Sequence, residues 1–134
     1  MAPTVTALLG FAAWYVALTF ALGSFRVALV MSGKKAPNEF LPDGSGVGDF
    51  GRRLNRARDN CFETLPLFCA IALAALIKNQ IGLLDPLAMY LLYARIGQSL
   101  THVVSTSLVA VNVRFAFFIV QLVIYVIWIA RLVG

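Results

Sequence analysis

The chain has 134 residues, a natural length for one domain. Hydrophobic residues make up 60% of it and charged residues only 13%, against about 25% charged in an ordinary soluble domain. That balance excludes a water-soluble globule as the working expectation and makes a bilayer the expected solvent. The net charge of +5 then reads as a topology signal, and nucleic acid is not an expected partner.

In chain order, the first apolar segment covers about 5–31 and holds one charge, Arg26. The run after Met1 lacks a basic n-region and is longer than a signal-peptide core, so it reads as a retained span. A polar stretch follows, SGKKAPNEFLPDGSGVGDFGRRLNRARD, whose Gly, Pro, Ser and Asp content marks a loop over about 32–57. Its GSGVG run has no preceding strand and reads as flexible linker, not a phosphate-binding loop. The second apolar segment runs over about 60–78 and is closed by Lys78. A short NQIGLLDP connection places a helix start at Asp85-Pro86. The third segment, about 86–111, is interrupted by Arg95 and His102. A turn around AVNVR leads to the fourth, about 114–132. Short connections make neighbouring helices antiparallel. The expected fold is all-α: a single-domain integral membrane four-helix bundle over residues 1–134, surrounded by membrane lipids.

Lys34, Lys35, Arg52, Arg53, Arg56 and Arg58 crowd the first loop. The positive-inside tendency therefore puts that loop in the cytoplasm and both termini on the other side. Arg114, in the third connection, falls on the cytoplasmic side as well.

Polar residues recur there at helical spacing. Arg56, Asn60 and Glu63 are four and three residues apart and share a face. Arg95, Ser99, His102 and Thr106 form a second stripe, with Gln98 beside it. A charge at membrane depth costs about 2.5–3.5 kcal/mol, so such residues face a bundle interior or a wet cleft. Ser99 and Thr106 fit interhelical hydrogen bonding; Arg52, Arg53 and Arg58 fit solvated topology charges. Together with Arg114, the stripes suit a small anionic ligand bearing amine and carboxylate groups. Arginine forks grip carboxylates, and Glu63 can hold an amine. One histidine and two separated cysteines, Cys61 and Cys69, make no zinc site, and no metal is expected. The cysteines lie about 12 Å apart if both are on one helix, too far for a disulfide.

The RARDNCFETLPLF segment carries Arg-Ala-x-x-Asn-x-x-Glu-x-x-Pro from Arg56 to Pro66. It resembles the signature of the MAPEG family, membrane-associated proteins in eicosanoid and glutathione metabolism. ARIGQSLTH and NVRF are similar to segments of bacterial members, and the resemblance covers about 12–128. It implies a homotrimer of four-helix protomers with glutathione, as co-substrate, bound between protomers near the cytoplasmic side. Arg56, Asn60 and Glu63 would hold glutathione's polar ends, Arg26 would add a carboxylate contact, His102 would line the pocket, and Arg114 would stabilise the thiolate. Arg95, which stands a turn before the family's arginine position, joins the expected site on its own account, because a buried arginine needs an anion. The activity implied is that of a glutathione transferase or peroxidase acting on a lipophilic small-molecule substrate. Thr106 stands where catalytic relatives often carry tyrosine, and Ser99 where an arginine is common. Those departures motivate the alternative, a non-catalytic scaffold or accessory subunit of a larger membrane complex.

Overall fold

The computed structural model describes residues 1–42 and 46–134. Four helices account for most of them: α1 (Pro3–Met31), α2 (Gly48–Ile77), α3 (Asp85–Val104) and α4 (Leu108–Val133), with a short 3-10 turn at Ile81–Leu83 before α3. No strand occurs among the described residues. Residues 43–45, which include the start of the GSGVG run, lie outside them.

The helix ends follow local chemistry. Pro3 opens α1, where its missing N–H is no loss. The same helix closes where Lys34 N–H bonds the Leu29 carbonyl across Gly33, whose φ is 77°. Asn79, at φ 57°, does the same for α2, with Gln80 N–H returning to the Ala75 carbonyl. Asp85-Pro86 opens α3 as expected, and the Asp85 carboxylate accepts from both the Thr4 backbone N–H (3.0 Å) and its hydroxyl (2.5 Å). Ser107 caps α4, its Oγ accepting from Ala110 N–H at 3.2 Å.

Two boundaries differ from expectation. The helix carrying Arg56 begins at Gly48, so Arg52, Arg53, Arg56 and Arg58 are helical and the loop ends by Val47. Leu54, Ala57 and Cys61 extend the buried stripe upstream of the apolar span and hold that extension down. The break before α4 falls at Ser105–Ser107, not in AVNVR, because a serine cap ends the irregular stretch earlier. Arg114 consequently sits almost two turns inside α4.

Three helices, α1, α2 and α4, are long and apolar enough to cross a membrane. α3 is not in that class: its 20 residues include Asp85, Arg95, Gln98 and His102. It packs against each of the other three, and α2 likewise touches α1, α3 and α4. Phe11 of α1 meets Phe68 of α2 edge-on at 5.8 Å, Phe68 meets Trp128 of α4 at 5.5 Å, and Trp128 meets Tyr125 at 6.1 Å. This aromatic file binds the bundle through dispersion and burial. At the far end the Lys78 ammonium donates to the Leu132 carbonyl, tying α2 to α4. Outward positions such as Leu9, Phe20, Leu73, Val123 and Val126 are exposed and apolar, the surface a hydrocarbon solvent requires.

Candidate functional site

A groove opens between α2, the end of α3 and the start of α4. Three adjoining cavities of ≈ 290, ≈ 380 and ≈ 340 Å³ form it, and Arg56 and His102 line all three. The first is completed by Asn60, Gln98, Arg114, Phe115 and Phe118. The second opens towards Asp49, Arg52, Arg53 and Thr106, and the third towards Asp59 and Glu63. Cavities of a few hundred Å³ suit small organic ligands.

The helices position these groups simply. Arg56, Asn60 and Glu63 descend one face of α2, as their spacing requires. His102 lies in the last turn of α3 and is buried, its Nδ1 lacking a hydrogen-bond partner among the described residues. Arg53 donates from Nε to the Val103 carbonyl at 2.8 Å. That bond occupies an orphan carbonyl at the α3 C-terminus and sets a cation on its negative end. Arg53 is thus a structural tie, not the purely solvated charge expected of it. Arg58 pairs with Asp59 at 2.8 Å, the only ion pair among the described residues. Arg56 and Arg114 therefore bring two uncompensated positive charges to one groove, with Glu63 at its α2 end.

Five of the seven expected site residues converge there: Arg56, Asn60, Glu63, His102 and Arg114. Arg26 and Arg95 do not line the groove. Arg26 donates from Nη2 to Asn55 Oδ1 at 2.9 Å and stacks over Phe40 at 5.3 Å. Arg95 is 0% exposed in the bundle core, where it donates to Gln121 Oε1 (2.9 Å) and Thr64 Oγ1 (2.8 Å). Sequence reasoning passed over Gln121 and Asn55, both buried. Gln121 had a visible signal, as the one amide in an otherwise apolar span. Asn55 had none, because polar residues surround it in the sequence. No group of three or more potential metal ligands occurs among the described residues.

An all-helical bundle with three spanning-length apolar helices and a polar groove at one end defines an integral membrane protein. The chain matches the model of the MAPEG family over residues 4–134 and belongs to that family. No match was found among curated proteins or among solved structures.

Proposed function

We propose that the protein is a membrane-bound glutathione-dependent transferase or peroxidase acting on lipophilic electrophiles. It works as a homotrimer whose pockets are completed by neighbouring protomers, with the groove on the cytoplasmic side and the termini opposite. The observation that carries this reading is the meeting of Arg56 and Arg114, from different helices and without acidic partners among the described residues, beside Asn60, Glu63 and His102. Two guanidinium groups match the two carboxylates of glutathione or one carboxylate and a thiolate, and Glu63 matches its ammonium.

In this reading Arg114 stabilises the thiolate, which is the nucleophile; the free thiol is mostly protonated at neutral pH. With chlorodinitrobenzene as acceptor, the thiolate sulfur forms a C–S bond and chloride leaves with its electron pair. Arg26 and Arg95 act through the helices they tie.

The test is calorimetric binding of glutathione to the detergent-purified protein and to Arg56→Ala and Glu63→Ala, with conjugation rates for Arg114→Ala. Binding lost in the first two and a rate reduced in the third are the expected results. Intact binding with no turnover of any electrophile would favour the non-catalytic alternative. Absence of binding to the native protein would end the glutathione reading.

A further inference from the structure

Four side chains run from the bundle core to the groove. Arg95 of α3 donates from Nη2 to Thr64 Oγ1 on α2 and from Nε to Gln121 Oε1 on α4. Gln121 Nε2 donates in turn to Gln98 Oε1 at 2.7 Å and to the Phe117 carbonyl at 3.1 Å. Gln98 is 3% exposed and lines the groove beside His102 and Arg114.

The direction of every bond in this relay is forced. A guanidinium has donors only, so Gln121 must turn its oxygen to Arg95. Its N–H2 then faces Gln98, and the Phe117 carbonyl, an acceptor only, demands the same orientation. Gln98 must therefore offer its oxygen to Gln121. This leaves the Gln98 N–H2 with no acceptor among the described residues, yet it is not among the side-chain nitrogens sealed from solvent without a partner. A buried arginine has set the polarity of an amide two residues away along the chain of bonds.

We infer that Gln98 is a ligand-binding residue, its amide N–H2 held facing the groove as an oriented donor by the Arg95–Gln121 relay. Its target is an anionic acceptor, a carboxylate or a thiolate, placed between Arg56 and Arg114. Gln121 and Arg95 are positioning residues: they touch no ligand but keep Gln98 from turning its oxygen inward, where it would repel an anion. On the function proposed above, that anion belongs to glutathione.

The chain has three glutamines, Gln80, Gln98 and Gln121, so glutamine-selective ¹⁵N labelling of the full-length protein in detergent gives a small set of side-chain amide signals, assigned by substitution. The Gln121 N–H2 is expected to exchange slowly with water and the Gln98 N–H2 quickly, the latter becoming protected when glutathione is added. Gln98→Glu keeps the shape and the bond from Gln121 but turns the donor into an acceptor. It should weaken glutathione binding at least about tenfold, the scale of a lost hydrogen bond to a charged group, without lowering the melting temperature. Gln121→Glu gives Arg95 a carboxylate yet cannot donate to Gln98; the fold should persist while affinity falls by a smaller factor. A loss in Gln98→Glu that persists with S-methylglutathione assigns the acceptor to a carboxylate, and a loss confined to glutathione assigns it to the thiolate. A Gln98 amide already protected without ligand, or a Gln98→Glu variant that binds as the native chain does, would overturn the inference. Failure of the native protein to bind glutathione would sink the proposed function instead, and the exchange rates of the two amides would still decide the polarity of the relay.

Discussion

Asn55, wholly buried on α2, accepts from Arg26 of α1 and turns its amide N–H2 to the Pro42 carbonyl (3.2 Å) and the Asp59 carboxylate (3.1 Å). One amide thus joins the first helix, the loop and the second helix behind the groove. Asn55→Leu leaves a guanidinium and a carbonyl without their partner. It is expected to cost about 1–3 kcal/mol, the penalty of stranded polar groups. Thermal unfolding in detergent measures it, and adding Arg26→Met should recover part of the loss. Strict additivity of the two changes would show that the bond does not matter.

The bond from Arg53 to Val103 leads to a second expectation. Arg53→Met keeps the aliphatic stem but removes the donor, at about 1 kcal/mol. The local effect should exceed the global one. Amide hydrogen exchange should quicken over 101–104, at the end of α3, and ligand affinity should drop severalfold because His102 belongs to that turn. Arg53→Lys should restore part of both. Unchanged exchange at the α3 terminus would refute the assignment of Arg53 as its anchor.

At Gly51 the Phe25 ring of α1 packs directly over the α2 backbone. A Cβ added there would lie 2.5 Å from the Phe25 ring and 2.8 Å from a Val47 methyl. Gly51→Ala should therefore destabilise by roughly 1–3 kcal/mol through overpacking, despite alanine's better helix propensity. Phe25→Leu in the same chain should relieve much of it. A stabilising Gly51→Ala would mean that the helices separate there without cost.

Arg95→Met removes a buried charge but strands Gln121 Oε1 and takes a donor from Thr64 Oγ1, so a loss of about 2–4 kcal/mol is expected. The double change with Gln121→Met removes the stranded oxygen, gives up the bond to Gln98, and should still be milder than Arg95→Met alone. The measurement is again detergent unfolding, and a double variant worse than the single would exclude the direct bond as the cause.

The stripe Arg56–Asn60–Glu63 was legible because charge inside an apolar helix has few places to go, and helical spacing fixes which residues travel together. His102 and Arg114 were legible for the same reason, as isolated polar groups flanked by apolar neighbours. The start of α2 was not. Glycine and aspartate at Gly48, Asp49 and Gly51 carry turn propensity, and only the burial of Leu54, Ala57 and Cys61 against neighbouring helices overrides it. The place of Arg95 was not legible, for a related reason. Its need for a partner was plain from the sequence, but that partner, Gln121, lies 26 residues away in another helix, a pairing that periodicity does not encode.

α3 stands apart from the other helices in a way that bears on biogenesis. On its own in hydrocarbon it would carry Arg95 at a cost of about 2.5–3.5 kcal/mol, and it lacks the apolar length signal of its neighbours. Gln121, which accepts from that arginine, arrives only with α4, after a link of three residues, 105–107. The two helices are therefore expected to enter the bilayer as a hairpin rather than in succession. A nascent chain halted at Val104 should leave its third helix unintegrated in a glycosylation-mapping assay, and synthesis through Gln121 should bring it in; integration of the shorter chain would disprove that order.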